Sequence, residues 1–170
     1  MRVHSDHEET LLCGIFVGGA ASRMRGVAKG LLPAPDTGEA LVMRLARLAR
    51  ELGWEVALVG RHPTYMQALP GLIALADRPA DVGPIGGLGA LAAHKASGHF
   101  VALACDMPAL DSALLRRLEQ SSSQRGALAP RSSDGLRWEP LCARYEVNAT
   151  RAAIDQCLAR GERSLQSVLR

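Results

Sequence analysis

The sequence predicts an α/β fold, a Rossmann-like three-layer sandwich with a mostly parallel sheet and helices on both faces. Two observations carry this reading. Short apolar runs at 11–17, 54–59, 72–76 and 99–104 lack polar alternation, as strands buried on both faces do. The longer segments between them carry helical signals, and a strand–helix–strand order gives parallel neighbours through crossover connections.

Each element has its own reason. Residues 11–17 form the first strand, an apolar run ending at Gly18. A long loop rich in Gly, Ala, Arg and Lys follows over 18–35. Residues 39–52 are an amphipathic helix: Leu41, Leu45, Leu48 and Leu52 share one face and arginines fill the other, until Gly53 stops it. After the second strand comes a short helix at 65–68 and a third strand at 72–76. Gly83-Pro84 opens a helix of small residues to about Ala96. The fourth strand runs directly into Cys105-Asp106-Met107-Pro108, and Asp111 is the N-cap of a helix to about Ser122. A short strand at 127–129, a polar loop at 132–137 and an edge strand at 140–145 come next. Helices at 148–160 and 164–170 close the chain. The polar, acidic residues 1–10 read as a flexible leader, and 11–170 as one domain.

Composition narrows the function classes. Apolar residues make up 48% and charged residues 22% of 170, an ordinary globular balance. The net charge of +3 mildly suits an anionic substrate. Cys13, Cys105, Cys142 and Cys157 have no CxxC pairing and read as buried free thiols in a reducing compartment. No signal peptide opens the chain, and the longest apolar stretch falls short of the ~20 residues a membrane span needs. The five histidines are scattered without ligand or triad spacing and read as surface or edge residues.

In parallel sheets ligands sit beyond the carboxyl ends of the strands. That rule points to the Gly18 loop, Asp77 and Asp106. In the first loop, Gly18 and Gly19 let backbone amides approach a phosphate or base, Arg23 offers a planar fork, and Lys29 a point charge. Neither the P-loop spacing nor the GxGxxG dinucleotide pattern is present. Asp106, fixed between an apolar strand and Met107-Pro108, suits a hard cation such as Mg²⁺, which takes oxygen ligands from one or two carboxylates and substrate phosphates. Asp77 alone reads as a turn residue. The glycines of Gly83-Pro84-Ile85-Gly86-Gly87-Leu88-Gly89 serve either a ligand's approach or close helix–sheet packing, with equal weight.

Four segments in this order resemble a known family. Gly18-Gly19-x-x-Ser22-Arg23-Met24 with Lys29-Gly30-Leu31-Leu32 resembles the signature loop of nucleotidyltransferases that act on molybdopterin. The Gly83–Leu88 stretch looks like that family's second glycine motif, Cys105-Asp106-Met107-Pro108 like its metal motif, and Trp138–Tyr145 like its acceptor-side strand. The resemblance extends over 11–165. The glycine pair and the Gly-Pro motif are most similar to the molybdenum cofactor guanylyltransferases, the molybdopterin-guanine dinucleotide biosynthesis protein A family. The cytidylyltransferase relatives usually carry Ala-Ala-Gly and a serine-rich stretch instead.

The resemblance implies a nucleotide-diphospho-sugar transferase-like fold and transfer of GMP from GTP to the phosphate of molybdopterin, with Mg²⁺ as cofactor and pyrophosphate released. It implies that Phe16, Val17, Gly18 and Gly19 contact guanosine, that Arg23 and Lys29 hold the triphosphate, and that Asp77 binds nucleotide. Asp106 would hold Mg²⁺, with Arg23, Lys29 and Asp106 serving catalysis, and Glu139, Pro140 and Leu141 would face molybdopterin. Partners would be GTP, molybdopterin and other cofactor-biosynthesis or molybdoenzyme delivery proteins, with no nucleic acid and no membrane, in the cytoplasm. Alternatives are a cytidylyltransferase or a sugar-phosphate nucleotidyltransferase of the same fold, or a non-catalytic GTP- or cofactor-binding protein. The sequence departs from the pattern: Val17 stands where Ala is common, Arg25 where Gly is common, and Leu58 at a position that can be a nucleotide-binding Asn. Family members also run on for a few tens of residues with an Asn-x-Asn-Thr-Pro or Asp-Thr-Pro-like motif. On this reading the 170 residues lack part of the metal and nucleotide site.

Overall fold

Alternate residues of the apolar strands feed two separate cores. In β1 (Leu12–Phe16), Cys13 and Ile15 point to one face, Leu12 and Phe16 to the other. β2 (Glu55–Val59) divides its side chains the same way, as does β4 (His99–Ala104). This is why these runs show no polar alternation: both faces are covered. The structure is a computed structural model and describes residues 10–18, 28–121 and 126–170.

Among the described residues, six strands form one sheet in the order β3-β2-β1-β4-β6-β5, with β3 at Ile73–Leu75, β5 at Ala127–Leu128 and β6 at Cys142–Glu146. β1, β2, β3 and β4 are parallel; β6 runs antiparallel to both β4 and β5. One face carries α1 (Leu41–Glu51), α2 (Pro63–Ala68) and α4 (Ser112–Gln120), whose Leu45, Tyr65 and Leu115 join the first core. The other carries α3 (Pro84–His94), α5 (Val147–Ala159) and α6 (Leu165–Val168), whose Leu91, Ile154 and Leu165 join the second. Asp111 caps α4 as the sequence predicts, accepting the Leu114 N–H at 2.8 Å. Glu146 caps α5 by accepting the Asn148 and Ala149 amides.

Three expectations are corrected. The strand near 140–145 is interior, not at an edge, because β6 lies between β4 and the two-residue β5, with Cys142, Ala143, Arg144 and Tyr145 buried. Pro140 precedes the strand and needs no ladder hydrogen bond. Among its described residues, the 18–35 loop contains a 3-10 turn at Lys29–Leu31. Cys105 is only partly buried, unlike Cys13, Cys142 and Cys157, because it already lies beyond the end of β4.

Candidate functional site

The carboxyl ends of β1, β2 and β4 are level: Phe16 pairs with Val59 on one side and Ala104 on the other. The exits are tied by backbone. Val17 N–H donates to the Val59 carbonyl at 3.0 Å, Cys105 N–H to that of Phe16 at 3.3 Å, and Gly60 N–H to that of Leu75 at 2.9 Å. Gly60 has φ +94°, and a Cβ built on it would lie 3.1 Å from Gly18 Cα. The first two exits therefore touch main chain to main chain.

The Lys29–Leu31 turn packs over the β4 exit. A Cβ on Gly30 would meet Tyr65 Cε1 at 2.8 Å and Cys105 Cβ at 2.9 Å, so only glycine lets the turn lie this low. The close approach brings Lys29 and Asp106 together: Nζ and Oδ2 are 3.9 Å apart, with the side chains 56% and 41% exposed. So loose and wet a pair contributes little stability. Both charges remain open to a ligand. On the far side of β4, the Ala104 N–H donates to the Leu141 carbonyl at 2.8 Å, which sets the Glu139–Leu141 segment beside the Asp106 loop. Glu139 is exposed; Pro140 and Leu141 are half-buried.

Asp77 lies on the opposite flank, after β3. Strands sit about 4.8 Å apart, so β3 and β4 are separated by roughly 14 Å across the sheet. Asp77 therefore stands well apart from Asp106. Loss of solvation first, and then the charge of Asp81, push its carboxyl above the ordinary aspartate value. Phe16 and Val17 are buried in opposite cores, which leaves only their backbone for a ligand, while Gly18 is exposed. Gly19 and Arg23 lie outside the described residues. Leu58 is fully buried and faces no cleft.

The α3 glycines pack rather than cradle. A Cβ on Gly86 would strike the Pro79 carbonyl, one on Gly87 the Phe16 ring, and one on Gly89 the Arg78 carbonyl. Two contributors, Gln166 and Arg131, carried no sequence signal. Gln166 of α6 holds the Trp138 backbone with both ends of its amide, accepting from N–H at 3.3 Å and donating to C=O at 2.6 Å. Tyr145 donates to the Pro140 carbonyl at 2.8 Å, and the Arg131 guanidinium lies 4.2 Å from the Trp138 ring centre. All fix the segment to which the resemblance gives the acceptor.

The described residues hold no group of three or more His, Cys, Asp or Glu able to bind a metal by itself. A single exposed carboxylate at a sheet edge suits a magnesium ion that arrives with phosphates and keeps much of its water.

The model of the MobA-like NTP transferase domain matches residues 13–170. The chain belongs to this family. It is a nucleotidyltransferase. A probable molybdenum cofactor guanylyltransferase of Opitutus terrae is 34% identical over 158 residues, 91% of this chain and 76% of that protein. The molybdenum cofactor guanylyltransferase of Pseudomonas fluorescens is 31% identical over 161 residues, covering 93% and 79%. Among solved structures, the molybdopterin-guanine dinucleotide biosynthesis protein A of Archaeoglobus fulgidus has the same fold, with a TM-score of 0.68 at 24% identity, covering 94% of this chain and 78% of that one. A protein of Aquifex aeolicus reaches 0.72 at 14% identity, covering 94% and 82%. No helix among the described residues is long and apolar enough to cross a membrane.

Proposed function

We propose that the chain transfers GMP from GTP to the terminal phosphate of molybdopterin, with residues 11–170 acting as one catalytic domain. The observation that carries the reading is the exposed Lys29–Asp106 pair at the carboxyl edge of the sheet, next to Leu141. The named relatives support guanine and the molybdenum cofactor. Lys29 holds the triphosphate, joined by Arg23 from the first loop. Asp106 would hold Mg²⁺, which, when bound, supplies positive charge to the triphosphate oxygens. The backbone of Phe16, Val17, Gly18 and Gly19 serves guanosine, Asp77 serves the far end of the nucleotide, and Glu139–Leu141 orients the acceptor.

An oxygen of the acceptor phosphate bonds to the α-phosphorus while the α–β bridging P–O bond breaks, and its electron pair leaves on pyrophosphate. A phosphate monoester has a second pKa near 6, so it is a nucleophile at neutral pH without a base. The protein's part is position and charge. Four unpaired thiols favour the reducing cytoplasm as the place of action. GTP with Mg²⁺ should raise Tm more than CTP or ATP at equal concentration, since a ligand stabilises the state that binds it. A larger shift with CTP would reassign the base, and no shift with any triphosphate would overturn the reading.

A further inference from the structure

Tyr65 is 1% exposed, and its hydroxyl touches both segments that carry the facing charges. It accepts the Gly30 N–H at 3.0 Å and meets Cys105 Sγ at 3.7 Å. Gly30 follows Lys29, and Cys105 precedes Asp106. No other hydroxyl among the described residues is given such a place between the turn and the β4 exit. The ring itself is held edge-on by His62, with centroids 5.1 Å apart. Burial, and then the Cys105 contact, push the phenol up to about 12, so it stays neutral and keeps its hydrogen at working pH.

We propose that Tyr65 is a positioning residue for nucleotidyl transfer: its hydroxyl sets the separation of the Lys29 ammonium and the Asp106 carboxylate without touching substrate. The proposal rests on the reading of Lys29 as a phosphate anchor. Without the hydroxyl the Gly30 amide loses its partner, the turn lifts from Cys105, and Lys29 is displaced relative to the phosphates. Displacements of about 1 Å can cost on the order of a hundredfold in rate.

The test is a double-mutant cycle on guanylyl transfer, run well below the lowest Tm, with Tyr65→Phe, Lys29→Ala and both together. Tyr65→Phe should lower kcat/KM by roughly ten- to a hundredfold in the parent, and by less than about threefold in the Lys29→Ala background. An equal loss in both backgrounds would make Tyr65 merely structural and overturn the proposal. A Lys29→Ala chain with full activity would instead overturn the reading of Lys29, and the proposal with it. Should Tyr65→Phe fail to fold, Gly30→Ala takes its place in the cycle, because its methyl would meet the Tyr65 ring and Cys105 and lift the turn that the hydroxyl holds. The same pattern of loss and masking is then required.

Discussion

The two flanks of the sheet's carboxyl edge are held by opposite means. Around β3, β2, β1 and β4, precision comes from missing atoms: Gly30, Gly60, Gly86, Gly87 and Gly89 let backbone meet backbone or ring with no room for a Cβ. Around β6, precision comes from side chains reaching back to main chain, as Gln166 does to Trp138 and Tyr145 to Pro140. The difference teaches where each flank is fragile. The first should suffer from added atoms and from lost charge, the second from removed atoms.

Asp106→Asn should have the largest effect, and only on chemistry. Turnover and Mg²⁺-dependent GTP binding should fall by about a hundredfold or more, since amide oxygen is a poor anchor for a hard cation. Tm should move by less than about 3 °C, because the Lys29 pair it breaks is exposed. A normal Mg-GTP titration with the variant would remove Asp106 from the metal site.

Gly89→Ala should come next. Its methyl would land on the Arg78 carbonyl, and the overpacking, typically about 2 kcal/mol, outweighs the helix propensity gained. A fall in Tm of about 5 °C by calorimetry is expected. An unchanged or raised Tm would show that α3 can move off the Asp77–Pro79 loop.

On the other flank, Gln166→Ala should cost about 1 kcal/mol by leaving the Trp138 amide groups without their partner. Its signature is kinetic: KM for molybdopterin should rise several-fold while KM for GTP stays put. Equal changes in both would dissolve the distinction between the flanks.

Asp77→Asn should have the smallest effect, with an unusual sign. The folded-state pKa of Asp77 is raised, so its ionised form opposes folding at neutral pH and the opposition fades as pH falls through its titration. The variant should be slightly more stable than the parent at pH 7 and indistinguishable from it near pH 3, while binding GTP less well. Denaturant unfolding at the two pH values checks this, and a loss of stability at pH 7 would contradict it.

Much of this arrangement was legible in the sequence. The strands β1, β2 and β4 showed as nearly continuous apolar runs because both faces are buried, and their exits named Gly18 and Asp106 as neighbours. The Asp111 cap showed because capping is a local hydrogen bond. The rest depends on contacts distant in sequence. That β6 lies inside the sheet follows from its pairing with both β4, some forty residues earlier, and β5. The Tyr65 hydroxyl and Gly30 are thirty-five residues apart. The α3 glycines were ambiguous because ligand and carbonyl oxygen make the same demand on a missing Cβ.

The contact between Gly18 and Gly60 also closes one seam of that edge to a flat ring. A flat ring needs about 3.5 Å to each neighbouring surface. A Cβ on Gly60 would already lie 3.1 Å from both the nitrogen and Cα of Gly18, so no ring can wedge between the first two strand exits. That seam is a closed wall. A heterocycle bound at these exits would lie against that seam rather than within it.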